Sequence, residues 1–327
     1  AAMEQSSQRT REDLALAVAG LAQQLQVQRY RDLQAVDQRL VAQDWEGAHG
    51  LLIRAQNIVL ELLYALDRTA LVAGVAAGQF LFNLAGQTSH LDSMQDPYTD
   101  LEINCRAQLS ILEACRKHNP DIKIVYASTR QIYGKPDYLP VDEKHLLRPV
   151  DVNGINKMAG EWYHILYNNV YGIRGCALRL TNTYGPRMRV KDARQTFLGI
   201  WLRLLLDGAP FEVWGGEQLR DFTYVDDAVE AFLLAALREE ANGKVYNLGG
   251  CEVVSLRELA ACLVEVNGGG SFQLREFPAE RKRIDIGDYY ADDRHIRAEL
   301  GWSPRVNLRE GLARTLAFYR RHLESYR

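Results

Sequence analysis

The chain has 327 residues, of which 47% are hydrophobic and 25% charged, and its formal net charge is −3. That length is ample for a buried core. The charge excludes the global basic field that recruits nucleic acid or an anionic membrane, so neither is expected as a partner. Any anionic ligand has to be held by a few local arginines.

The five cysteines, Cys105, Cys115, Cys176, Cys251 and Cys262, are odd in number and widely spaced, with no CxxC pair. Neither a zinc site nor a disulfide framework is indicated, no metal is expected, and a reducing cytoplasm is the default location. The polar N-terminus, AAMEQSSQRTRED, resembles no signal peptide. The most apolar stretches carry charges or end too soon to span a bilayer.

In chain order, residues 11 to about 70 read as all-helical. REDLALAVAGLAQQLQVQRYRDLQAVDQRLVAQ lacks proline and is rich in Ala, Leu and Gln. In GLLIRAQNIVLELLYALD, Leu51, Leu52, Ala55, Ile58, Val59, Leu62, Leu63 and Leu66 fall at helical spacing, which suggests an amphipathic hairpin or small bundle. From about residue 80 the texture changes. FLFNLA (80–85) and IKIVYAS (122–128) are short buried-strand runs, with a helical TDLEINCRAQLSILEACRKHN between them. Strand, helix, strand at this spacing is a βαβ unit and implies a parallel sheet. NGINKMAGEWYHILYNNVYG continues as a helix and RGCALRL (174–180) as a strand. Beyond Pro186 the elements mix: QTFLGIWLRLLLDG helical, FEVW a strand, VDDAVEAFLLAALREE helical, VYNLGG a strand, then two more helices. The expected fold is α/β: a doubly wound, Rossmann-like parallel sheet lacking its first strands, a mixed α/β substrate lobe and an all-helical N-terminal segment. The expected division is 1–70, 71–185 and 186–327.

The motifs from residue 80 are specific in their order. FNLAGQTS (82–89), NCRAQLSILEAC (104–115), VYASTRQIYG (125–134), NGINKMAGE (153–161), LRLTNTYGPR (178–187), GGEQLRDFTYVDDAVEA (215–231), YNLGG and LGWSP together resemble the extended short-chain dehydrogenase/reductase family, the NAD-dependent sugar-nucleotide epimerases and dehydratases. The resemblance covers about three quarters of the chain. The segment AQDWEGAHGLLIRAQNIVLELLYALD is faintly similar to helices of the flagellar export chaperone family.

The resemblance implies NAD as cofactor, a nucleotide-sugar substrate and a set of site residues. In the family a tyrosine, its pKa held down by a lysine one helical turn on, takes a proton from a sugar hydroxyl while the carbon gives a hydride to NAD. Lys157 matches the lysine, which also grips the nicotinamide ribose. Thr129 matches the hydroxyl beside the reacting oxygen, and Asn104 the asparagine that supports the lysine. Ala85, Gln87 and Ser128 match cofactor-loop positions. Asn182 and Arg187 match the substrate loop, and Arg220, with Arg281 or Arg283, the diphosphate clamp.

Two departures stand out. Asn153 occupies the tyrosine position, and an amide does not titrate near neutrality. Tyr133 and Tyr184 lie in neighbouring motifs as other candidates. Where the family's dehydratases carry Asp-Glu after the threonine, this chain has Arg130 and Gln131, so 4,6-dehydration is disfavoured. The glycine-rich turn that receives the NAD pyrophosphate is also missing from residues 1–80, where GVAAGQF (74–80) has only two glycines. Without a first strand, FLFNLA is an unpaired sheet edge, through which a homodimer could form. The expected function is that of an NAD-dependent, epimerase-like enzyme. The alternative is a catalytically impaired nucleotide-sugar-binding relic or fusion, its helical N-terminus a chaperone-like or oligomerisation module.

Overall fold

A computed structural model describes residues 78–192, 196–278 and 284–326. The helical segment expected over 1–70 lies outside the described residues. Strand β1 (Phe80–Asn83) is followed by α1 (His90–Gln95), α2 (Pro97–Leu101), a π-helical turn (Glu102–Arg106), α3 (Ala107–His118) and β2 (Lys123–Thr129). A 3-10 turn (Arg130–Tyr133) leads to α4 (Val152–Tyr171), β3 (Gly175–Leu180), β4 (Asn182–Tyr184), α5 (Phe197–Leu206) and β5 (Phe211–Trp214). Then come β6 (Leu219–Tyr224), α6 (Val225–Leu237), β7 (Val245–Asn247), β8 (Val253–Ser255) and α7 (Leu256–Asn267). Strand β9 (Phe272–Arg275), α8 (Arg294–Leu300) and α9 (Leu308–His322) complete the order.

The main sheet is parallel, in the order β1-β2-β3-β7. Phe80 lies opposite Lys123, Ile124 opposite Gly175 and Ala177 opposite Val245. Strand β2 is buried at every residue before Thr129, as a strand covered on both faces must be. On one face Leu81, Ile122 and Ile124 pack with Ile111, Leu112 and Cys115 of α3 and Tyr167 of α4. On the other, Val125, Ala127, Cys176 and Leu178 meet Ala231, Phe232 and Ala235 of α6 and Ile296 of α8. Helices on both faces make the layout doubly wound. Among the described residues β1 pairs with β2.

The C-terminal part builds a second core around Trp201, Leu202, Phe211, Leu259, Leu312 and Tyr319. It also holds two small sheets, β4-β6-β8 and β5-β9. The apolar pattern does not predict β6, because this buried strand carries Arg220 and Asp221. Protein partners satisfy those charges where water would on a surface strand.

Helix α4 carries the largest share of the site residues. Its N-cap, Asp151, accepts from the Gly154 N–H, and Gly172 ends the helix in the left-handed region at φ 69°.

Candidate active site

Ligands of open parallel sheets bind outside the carboxyl ends of the strands. Here those ends are the loop after Asn83, residues 128–130 and residues 181–182. The π turn is a wide helical turn of a kind common at functional sites, and it carries the buried Asn104. Its Oδ1 accepts the Gln87 N–H at 3.1 Å, while its Nδ2 donates to Gln87 O and to Asp100 Oδ2, each at 3.0 Å. Asn104 thereby fixes the loop after β1. Gln108 does the same one turn on, donating to Ala85 O at 3.3 Å.

Lys157 projects from α4 into this cluster. Its Nζ donates to Ala127 O at 2.6 Å and lies 4.4 Å from the centroid of the Tyr126 ring. Burial pulls its pKa down to about 8, against the opposing charges of Glu161 and Asp100. Gly86 lies above it. A Cβ at Gly86 would sit 3.1 Å from Asn104 Oδ1 and 3.4 Å from Lys157 Nζ, so the bare backbone of Gly86 lies close over both side chains.

Asn153 is buried and turned inward. Its Nδ2 donates to Gln87 O at 2.7 Å and to Asp100 Oδ2 at 3.0 Å, and its N–H to Ser93 Oγ at 3.2 Å. Asn156 adds a bond to Asp100 Oδ1 at 2.8 Å. Asp100 is therefore the hub of three asparagine amides, and Asn153 ties α4 to the loop after β1. The two tyrosines considered as alternatives are enclosed. Tyr133 OH accepts from Arg179 at 2.6 Å and donates to Asn247 Oδ1 at 2.7 Å. Tyr184 lies in the C-terminal core, its ring against Phe222 and Tyr224. Burial raises the pKa of both hydroxyls, the wrong direction for a base.

Thr129 stands half-buried at the end of β2, where its Oγ1 accepts the Gln131 N–H at 3.2 Å. The Ser128 hydroxyl is committed to Glu161 Oε2 at 2.5 Å, and Glu161 forms a two-point ion pair with Arg179 at 2.6 and 3.0 Å. This chain of bonds joins β2, α4 and β3 beneath the site. Removing one partner of such a pair is costly, because the other charge stays buried.

On the opposite side, Asn182 accepts from Arg130 Nη2 at 2.9 Å and donates to Asp221 O at 3.0 Å. Arg220 is 5% exposed, donates to Leu219 O and Gly287 O, and faces Asp285 at 3.3 Å. Burial lowers its pKa to about 10, with Arg130 as the next cause. Arg187 stands apart: it is exposed, adopts φ 71°, and lies over the Phe318 ring. Arg281 and Arg283 lie outside the described residues.

Lys157, Asn104, Asn153, Gln87 and Ala85 thus meet around the loop after β1, with Thr129 and Ser128 at the end of β2, while Asn182 and Arg220 lie across from them. Asp100 had a readable signal, sitting four residues before Asn104 in one helical run. Tyr289, under the Arg130 guanidinium, had none.

The family model described as NAD dependent epimerase/dehydratase family matches residues 19–249. It begins well before residue 80, where the motifs become readable, and takes in much of the segment read as helical. A putative UDP-glucose 4-epimerase of Methanocaldococcus jannaschii is 33% identical over 239 residues, covering 73% of this chain and 76% of that protein. The crystal structure of UDP-glucose 4-epimerase from Thermotoga maritima with UDP-glucose superposes with a TM-score of 0.72 at 28% identity, over 79% of this chain and 82% of that one. MoeE5 in complex with UDP-glucuronic acid and NAD gives 0.71 at 30% identity, over 79% and 84%. With the doubly wound sheet and its loop residues in place, the chain belongs to the NAD-dependent epimerase/dehydratase family.

Proposed function

We propose that this protein is an enzyme that isomerises a nucleotide sugar through a reversible oxidation, with NAD as cofactor. The observation that carries the reading is Lys157. It is a buried amine with a pKa near 8, held by Ala127 O beside the bare backbone of Gly86. That backbone and the spare N–H groups of Lys157 fit the nicotinamide-ribose end of a dinucleotide. When bound there, the nicotinamide supplies the hydride acceptor and donor.

The rest falls to the chain's own residues. Asn153 is spent on Asp100 and Gln87, so the proton of the sugar hydroxyl goes to Lys157 Nζ, whose pKa is suited to a base near neutrality. Thr129 hydrogen-bonds the same oxygen. Arg220 meets the diphosphate, a task suited to a guanidinium fork. Asn182 orients the sugar. Elimination of water is disfavoured, because Arg130 stays protonated and Gln131 Nε2 is committed to Asp151 Oδ2 at 2.8 Å.

The five thiols are unpaired, in keeping with a reducing cytoplasm. No helix among the described residues is long and apolar enough to cross a membrane. A homodimer is favoured by the outer face of α4, where Ile155, Trp162, Leu166 and Val170 are exposed at helical spacing.

The test is calorimetric titration with NAD and with UDP-, CDP- and dTDP-sugars, then turnover across pH. Binding of NAD and of a nucleotide sugar is expected, with activity rising through pH 8 and lost in Lys157→Met. Failure of both ligand classes to bind at millimolar concentration would falsify the reading.

A further inference from the structure

Arg130 sits at the carboxyl end of β2, directly after Thr129, and burial works against its charge. One Nη2 proton goes to Asn182 Oδ1 at 2.9 Å, and Cζ lies 5.6 Å from the centroid of the Tyr289 ring. Its Nε is buried without a partner, and so is the hydroxyl of Tyr289.

Among the described residues no carboxylate pairs with Arg130. The acids whose charge reaches it are Asp221, Asp285 and Asp151, and each is committed elsewhere. Asp221 accepts from Thr181 and from the Ala291 N–H at 3.0 Å. Asp285 faces Arg220 at 3.3 Å and accepts the Gly287 N–H at 3.0 Å. Asp151 accepts from Gln131 at 2.8 Å and the Gly154 N–H at 2.6 Å, and lies 3.0 Å from His90 Nδ1. Arg220 stands close enough that the two guanidiniums repel. A buried cation beside a second cation, with a donor left over, is costly unless an anion completes it. The unpartnered Nε–H lies on the Nε/Nη2 side of the guanidinium, the donor pair that matches a carboxylate side-on.

We infer that Arg130 and Tyr289 form an anion subsite for a carboxylate on the sugar ring, so that the preferred substrate is a nucleotide-linked uronic acid. This rests on the nucleotide-sugar reading above, and Arg130 supplies the selectivity within it. A neutral hydroxymethyl group offers a single oxygen, cannot match the fork with two, and leaves the charge uncompensated.

The experiment uses the full chain with NAD present. UDP, dTDP and CDP are titrated first by calorimetry, and on the diphosphate that binds, the glucose and glucuronate conjugates are compared. The glucuronate is expected to bind at least about tenfold tighter. Arg130→Gln should erase that ratio. Arg130→Lys, which keeps the charge but not the fork, should leave a smaller one. Equal binding of the two conjugates by the native protein overturns the subsite alone, as does a ratio that survives in Arg130→Gln. If no UDP, dTDP or CDP species binds, the nucleotide-sugar reading falls and the subsite with it. The ratio measured on the native protein decides the matter even if a variant fails to fold.

Discussion

Lys157 bears a cost that a core residue would not. Its amine gives up its proton near pH 8 in the folded protein, against 10.5 for the free group. Below pH 8 both folded and unfolded chains are protonated there, and the burial penalty is present in full, about 3 kcal/mol. As pH rises from 8 towards 10.5 the folded state releases its proton first, so stability rises through that window. Lys157→Met removes the penalty but also the bond to Ala127 O, worth about 1 kcal/mol. The variant should be more stable than the native protein at pH 7 by about 1–2 kcal/mol, and the gap should shrink by pH 10. Urea unfolding at the two pH values checks it, and equal gaps at both would contradict the shift. A stabilising change that removes turnover is the pattern of a residue kept for chemistry. Lys157 and Thr129 were legible because they sit in quoted motifs at the ends of recognisable strands. What Asn153 does was not. The sequence places an amide where a proton carrier is expected, but only the fold brings Asp100, fifty-three positions away, to within 3.0 Å of it.

At the scale of elements, α4 is held by close approaches that leave no room for side chains. A Cβ on Gly160 would fall 2.7 Å from the Tyr126 hydroxyl and 2.9 Å from Asn104 O. Alanine is the better helix former by roughly 0.5–1 kcal/mol, yet here the clash is with backbone and a buried ring. Gly160→Ala should therefore lose about 1–2 kcal/mol net, read from the denaturation midpoint. A stabilised variant would mean that α4 and the π turn are free to separate. The longer helices and the main-sheet strands were legible because their apolar runs follow one period each, whereas the short helices α1 and α8 and strand β9 were not. Strands β4, β6 and β8 were not, since they are short and β6 carries Arg220 and Asp221 into the interior. The π turn was also invisible. Periodicity predicts one helix across TDLEINCRAQLSILEACRKHN, and a single wide turn changes that pattern little.

At the scale of the whole molecule, the exposed large apolar side chains among the described residues gather mainly along α4 and the neighbouring short helices. Trp162 is 56% exposed and Val170 61%, and Met94, Tyr98 and Leu101 are exposed on α1 and α2. Apolar stripes of this kind mark contact surfaces. Light scattering should give twice the 37.1 kDa of one chain, and Trp162→Glu or Leu166→Glu should return the mass to one. If both variants keep the double mass, the partner surface lies elsewhere.

The π turn also sets how the chain tolerates length change. Such a turn holds one residue more than a regular helix needs. Deleting Ile103 would let the run from Pro97 to His118 close into uninterrupted α-helix with every backbone bond made. It would also rotate Asp100 by about 100° relative to α3, carrying its carboxylate away from Asn153 and Asn156. A frame-preserving loss of one codon would thus leave secondary structure intact on circular dichroism while dismantling the site from beneath. In this helix, residue count matters as much as residue identity.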